Sequence, residues 1–209
     1  SISVTSDKMM KGAVLAAVAA VAAGRAAPAA PPPRPVISES YAASGEIQSW
    51  YDNQFVKYQQ QRYRDFDNGR ELQNVIPEDV HPYSRLYRYD LKMMYEIDEP
   101  TPGKCAKGEI SGELPSNWFF TKESKFVGEE EFHGVEANLW RSDDTQDTTI
   151  YDLYVSKSDH TRPIALVSRR EGRDDNTTYI MEKWEPRAPP ESAFAVPRFC
   201  DDADVVKFE

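Results

Sequence analysis

Residues 83–98, Tyr-Ser-Arg-Leu-Tyr-Arg-Tyr-Asp-Leu-Lys-Met-Met-Tyr-Glu-Ile-Asp, carry an apolar or aromatic side chain at every odd position except Arg85: Tyr83, Tyr87, Tyr89, Leu91, Met93, Tyr95 and Ile97. The even positions are mostly polar. A period of two keeps the aromatic set on one side, where a helical period of 3.6 would scatter it, so the run predicts one long strand with a greasy face. At about 3.3 Å per residue it would span roughly 50 Å, and it must bend or enter a large sheet.

From Lys125 onward shorter β-like runs recur, separated by polar turns. Residues 126–132 lead through His133-Gly134 into 135–141, with Val135, Ala137 and Leu139 on one face and Trp140 on the other. Ser142 to Asp147 is a turn; 150–156 brings Tyr151, Leu153 and Val155 together; 162–169 contributes Ile164, Leu166 and Val167. Residues 177–184 place Tyr179 and Met181 on one side and Ile180 and Trp184 on the other. Upstream, 45–69 is rich in β-formers and ends in the hairpin signal Asn68-Gly69, so one or two strands and a turn are expected there. Residues 75–82 read as a loop, and Pro100 to Gly103 terminates the long strand. Helical pattern is confined to short stretches at 115–120 and 190–193. Hairpin-length breaks between strands imply an antiparallel sheet in an all-β or β-weighted α+β domain.

The amino-terminal region changes the picture of where that domain begins. Met9-Met10-Lys11 precedes an Ala/Val-rich run over 12–23, too short for a membrane span and followed by small residues suited to cleavage, so 1–30 reads as a signal peptide with upstream residues. An Ala-rich core helix is the competing reading. Residues 31–44 open with prolines and read as a flexible linker, 45–200 as a single domain, and 201–209 as an acidic tail. Net charge is −10 over 209 residues, and loss of the leader takes it to about −12. Such a balance excludes nucleic acid and anionic membrane as main partners.

Two cysteines, Cys105 and Cys200, lack the spacing of a zinc or thioredoxin site. In a secreted chain they pair; the other reading is two buried thiols. His81, His133 and His160 lie in turn-like segments with no metal-ligand spacing, and no nucleophile elbow, phosphate loop or zinc-protease helix occurs, so a non-enzymatic protein is expected. Acidic clusters at Glu129–Glu131, Asp143-Asp144 with Asp147, Asp174-Asp175 and Asp201-Asp202 with Asp204 offer the oxygens that calcium takes, although the Asp143 segment lacks the EF-hand glycine and glutamate. A plain solvated surface is the duller explanation. Asn176-Thr177-Thr178 fits the N-glycosylation pattern.

The residues expected to line an apolar interior and contact a ligand are Tyr87, Tyr89, Leu91, Met93, Tyr95, Leu139, Tyr151, Leu153, Leu166 and Met181. A curved sheet either fills that interior with side chains or leaves a cavity for an apolar molecule.

Phe132 to Trp140, Tyr151 to Ser156, Arg162 to Leu166 and the Pro189 to Cys200 stretch, with its Phe194-x-x-Pro-x-x-Cys200 element, together resemble the ependymin-related and lipoprotein-carrier-like (LolA-like) group of secreted β domains. The resemblance spans roughly 45–200. It implies curved antiparallel sheets forming a half-open barrel around an apolar pocket, binding of a lipid or other hydrophobic molecule, at most one bridge, Cys105 to Cys200, and a secreted or endomembrane-lumen location. Ependymins are glycosylated and calcium-associated, but no calcium ligand transfers to a residue of this chain. A similar domain stands before the inhibitory segment of some papain-like cysteine peptidases. Sequence thus leads to a secreted carrier of a hydrophobic ligand, with an extracellular adhesion or matrix module acting through its acidic surface, or a peptidase accessory domain, as the competing functions.

Overall fold

The computed structural model describes residues 30–51, 53–78, 80–98, 104–144 and 148–208. Its strands are β1 (Tyr41–Tyr51), β2 (Gln54–Asp65), β3 (Arg70–Pro77), β4 (Tyr83–Arg88), β5 (Met93–Asp98), β6 (Cys105–Glu109), β7 (Lys125–Phe132), β8 (Val135–Asp144), β9 (Thr149–Ser156), β10 (Pro163–Arg170) and β11 (Asn176–Glu185). They make one 11-stranded antiparallel sheet in the order β6-β5-β4-β3-β2-β1-β11-β10-β9-β8-β7, curled but not closed. Among the described residues, helix is limited to 3-10 turns at Phe119–Lys122, Glu191–Phe194 and Arg198–Cys200. The expected β-rich, half-open architecture with short helices is the observed one.

Two meanders build the sheet. β1 to β6 run outward in one direction and β7 to β11 run inward from the other, so the first and last strands pair at the centre. Residues 110–124 must therefore travel from the β6 edge to the β7 edge. Ten gaps of about 4.8 Å would set the edges of a flat sheet roughly 48 Å apart. A segment of this length that includes a 3-10 turn barely reaches so far, and the curl brings the edges closer.

Local chemistry explains the turns. His133 and Gly134 both have positive φ, 49° and 79°, which makes the two-residue β7–β8 connection a type I′ turn matched to strand twist. Gly69 (φ 63°) closes the β2–β3 turn announced by Asn68-Gly69, with Asp65 accepting from Asn68. The late strands fall within a residue or three of their expected limits.

Several expectations are corrected. Residues 83–98 are two strands, β4 and β5, joined by a turn over 89–92 with Lys92 at φ 57°. The turn is fixed by Leu91 N–H donating to Arg88 O (2.9 Å) and by Arg88 pairing with Asp90 (2.7 Å). Trp184 shares the face of Tyr179 and Met181, because the register jumps between Ser44/Lys183 and Gly45/Met181 and the extra residue resets the alternation. Strand β1 starts at Tyr41, and Ile37 is buried, so the ordered fold reaches into the expected linker. The acidic tail touches the sheet, with Val206 N–H donating to Lys107 O (2.8 Å). Strand β8 continues to Asp144, into the expected turn; the rest of that turn, Pro100 to Gly103, and the leader up to residue 29 lie outside the described residues. Among the described residues no helix is long and apolar enough to cross a membrane.

Each face of the sheet has its own core, at opposite ends. On one face, here the tryptophan face, the 110–124 crossing lays Trp118 and Phe120 over Tyr41, Ile47, Trp140, Leu153, Val155, Tyr179 and Met181. On the other, the cystine face, the carboxyl-terminal segment lays Phe194 and Cys200 over Leu86 and Tyr95, and the Cys105–Cys200 disulfide (Cα–Cα 5.3 Å) ties it to β6.

Candidate functional site

Strand register decides which expected ligand residues can meet. Pairing carries Ile47 across to Tyr179, Leu166, Leu153 and Trp140, so Leu153, Leu166, Tyr151 and Met181 share the tryptophan face. In the other direction Tyr41 faces Arg64, then Glu71 and Tyr87, which puts Tyr87 there too. Met93 and Tyr95 lie on the cystine face against Phe194, and Leu139 is buried on that same side of β8. Leu91 is 50% exposed in the β4–β5 turn, beside Tyr89. The ten residues therefore do not line one interior. Where Tyr151, Leu153 and Met181 gather, the space is taken by Trp118 and Phe120; Phe120 stacks on Tyr151 at 4.7 Å between centroids and Trp118 meets Trp184 edge-on at 5.9 Å.

The crossing segment is fastened by polar groups of β1, β2 and the arm before β1. Arg64, 1% exposed, donates to Glu71 across the β2–β3 hairpin and to the Pro115 carbonyl. Trp118 Nε1 donates to Ser38 O (3.0 Å), Asn117 Nδ2 to Tyr41 Oη (2.7 Å) and Asn117 N to Glu39 Oε2 (3.2 Å). Arg34 donates to the Lys122 carbonyl. Several openings lie beside the fastened segment, and two of them bear on function.

The first opening is a groove of about 550 Å³ between the arm and the crossing, lined by Val36, Ile37, Phe66, Trp118 and Phe119 with Arg34 and Lys122 at its rim. Val36 is 76% and Phe119 49% exposed over a floor of buried Ile37 and Trp118. No ion pair among the described residues engages Arg34 or Lys122.

The second is a pocket of about 200 Å³ on the far side of the crossing, lined by Arg62, Arg64, Glu71, Gln73, Tyr87 and Tyr89 under Leu114 and Pro115. Arg62 lies over the Tyr179 ring (5.7 Å) with Nε 3.1 Å from Glu71 Oε1, within ion-pair reach yet not aligned as a hydrogen bond. Burial opposes its charge, but Glu71, with the Tyr41 and Tyr179 phenols, outweighs that cost and holds the pKa above the usual guanidinium value. Burial also raises the phenols of Tyr41, Tyr58, Tyr87 and Tyr179. Among the described residues, five buried polar atoms on this face have no hydrogen-bond partner: Gln60 Oε1, Arg62 Nε, Arg64 Nε, Tyr179 Oη and Trp184 Nε1.

Asn176 is half-buried at the start of β11, between Trp50 of β1 and Arg169 of β10. Among the described residues no group of three or more His, Cys, Asp or Glu side chains is arranged to hold a metal; Asp147 of one acidic cluster lies outside them, and Glu129 of another pairs with Lys157 (2.7 Å).

The first opening escapes the periodicity of the sequence, because Val36 and Ile37 follow a proline run that reads as spacer and Trp118 lies in a stretch read only as a short helix; the second is lined in part by Tyr87 and Tyr89, which the alternation of 83–98 singles out. The available signal misleads by two residues: a two-residue turn at Asn68-Gly69 sets Glu71 opposite Phe66, whereas the turn spans residues 66–69 and pairs Glu71 with Arg64.

No family model and no curated protein sequence matches this chain. Among solved structures, an uncharacterised conserved protein of Thermus thermophilus superposes with a TM-score of 0.52 at 14% identity, over 81% of this chain and 90% of that one. That likeness establishes a shared fold. Lower-scoring neighbours include the Pseudomonas aeruginosa MucA/MucB complex (TM-score 0.44, 10% identity, 77% of this chain and 57% of that chain) and a domain described as outer membrane lipoprotein-sorting from Vibrio parahaemolyticus (TM-score 0.29, 13% identity, 74% and 88%). The ependymin side of the sequence resemblance rests on sequence pattern alone.

Proposed function

We propose that the protein is a non-enzymatic binding protein that takes an amphipathic, chain-like molecule, a lipid or similar compound, along the groove between residues 34–39 and 116–122. The observation that carries the reading is the groove itself: about 550 Å³ of open space that combines apolar Val36, Ile37, Phe66 and Phe119 with Arg34 and Lys122, the one lining carboxylate, Glu39, being engaged by Ser116 and Asn117. Ligand sites are commonly clefts of this scale with apolar walls and a few placed polar groups. Arg34 and Lys122 would meet an anionic head while Val36, Ile37, Phe66 and Phe119 flank the chain. The disulfide supports an oxidising, exported location, since such bonds persist outside the reducing cytosol. Glycosylation of Asn176 belongs to the same proposal.

Uptake of a fluorescent fatty acid, followed by emission, tests it. Wild-type protein should bind saturably, and Phe119→Asp should weaken binding at least tenfold while leaving the melting temperature within a degree or two, because the ring is half exposed. Equal uptake by both proteins, or no uptake together with lipid-free mass spectra of protein purified without detergent, would refute the reading.

A second reading, attachment to a protein partner, is favoured by a different observation. The β1–β2 hairpin end exposes Trp50, Tyr51, Phe55 and Val56 together, with Trp50 and Phe55 in ring contact at 5.6 Å.

A further inference from the structure

We infer that the pocket beneath Leu114 and Pro115 is a second site, independent of the groove, that binds a small monocarboxylate through Arg62 and Arg64. Two guanidinium groups here share one carboxylate, Glu71, which leaves a unit of positive charge uncompensated in a largely desolvated place. Buried charges are expensive unless paired, and buried polar atoms in folded proteins almost always have a partner. Arg64 is 1% exposed and its Nε has none; the Nε of Arg62 faces Glu71 without a hydrogen bond. An acceptor-only group of single negative charge would answer both deficits at once.

The remaining lining selects within that class. A guanidinium fork matches the two oxygens of a carboxylate. Tyr87, Tyr89, Leu114 and Pro115 supply aromatic and apolar walls, and about 200 Å³ leaves room for a ring or short chain attached to the carboxylate. Glu71 sits in the same pocket and would repel a second negative charge, so a dianion such as phosphate is disfavoured. Gln73 has both ends of its amide engaged, Nε2 on Glu71 and Oε1 accepting from Gln60 (3.5 Å), so it shapes the wall and leaves the charge recognition to the arginines. Arg62 is the more accessible arginine, 22% exposed at its side chain, and makes the entrance.

Calorimetric titration of the full chain with benzoate, benzamide and inorganic phosphate tests the site. Benzoate should bind, benzamide, which has the same shape without the charge, at least tenfold more weakly, and phosphate more weakly than benzoate. Arg62→Gln should lose tenfold or more in benzoate affinity and no longer distinguish benzoate from benzamide; Arg62→Lys should fall between. Decanoate binding more tightly than benzoate, with the gain lost in Arg62→Gln, would assign the carboxylate to an amphiphile, and benzoate equal to or tighter than decanoate would assign it to a free small acid; either supports the site. Equal affinity of the wild-type protein for benzoate and benzamide overturns the inference even if no variant folds, as does an Arg62→Gln protein that still discriminates. Phe119→Asp should leave benzoate binding unchanged, which separates this outcome from failure of the groove.

Discussion

Arg64 is the residue on which the tryptophan face depends, because it is buried, charged and bonded both to its sheet neighbour Glu71 and to the crossing segment at Pro115. Glu71→Gln nearly keeps the shape and removes the charge, leaving two arginines without a counter-ion. Breaking a buried pair on one side costs about 3–5 kcal/mol, and urea unfolding of this variant should show a loss in that range. Tyr179 behaves differently. Its hydroxyl lacks a partner, so Tyr179→Phe should be neutral or stabilising at neutral pH. Burial holds its folded pKa above the ordinary 10.0, so the unfolded chain sheds this proton first as pH rises. The contribution is whole below about pH 10 and is lost above it, and Tyr179→Phe should flatten the alkaline fall in stability between about pH 9 and pH 12. Absorbance at the phenolate band would follow the same protons. Neither role is written in the periodicity of the chain. Inward charge at Arg62 and Arg64 looks the same in sequence as outward charge, and a two-residue count through Asn68-Gly69 sets Glu71 opposite Phe66 rather than Arg64.

At the scale of elements, the β1–β11 junction turns on Gly45. A Cβ there would lie 1.8 Å from the Ile180 carbonyl oxygen, a backbone atom that cannot swing aside. Gly45→Ala should cost at least the upper end of the ~1–3 kcal/mol typical of overpacking, measured as a fall in denaturation midpoint, whereas Gly134→Ala, strained in φ but facing open space, should cost less. The same bulge explains why Trp184 is not on the side that simple alternation gives it. Strands with a turn chemistry of their own were legible from residues alone: His133-Gly134 and Asn68-Gly69 mark turns because they tolerate positive φ. The 89–92 turn was not, since Tyr-Asp-Leu-Lys holds no glycine or proline and the alternation runs unbroken through it. Its stability comes from Arg88 and Asp90, a contact visible only once the chain has doubled back. The crossing segment was legible as a short helical stretch and no more, because Trp118 and Phe120 are placed by what they cover rather than by any local period.

Over the whole molecule, the disulfide joins residues 95 apart and holds the cover of the cystine face against β6. Closing a loop of this length constrains the unfolded chain by about 4–5 kcal/mol in the entropy model. Reduction, or Cys105→Ala with Cys200→Ala, should therefore lower the melting temperature markedly and increase proteolysis within the carboxyl-terminal segment near Phe194, with the tryptophan face affected less because its cover is fastened separately; limited proteolysis with mass spectrometry would locate the cuts. The sequence made the β architecture and the bridge readable. It did not reveal that the apolar centre is occupied by the chain itself, since filling depends on a segment that returns from one rim of the sheet to the other.

The meeting of β1 with β11 has a consequence for how the chain is made. A ribosome delivers β1 early and its second neighbour last, so for most of synthesis the middle of the future sheet is a bare margin of amide and carbonyl groups, an open invitation to foreign strands. A translation product ending before Asn176 never closes that seam, and it should clump where the finished protein stays dispersed.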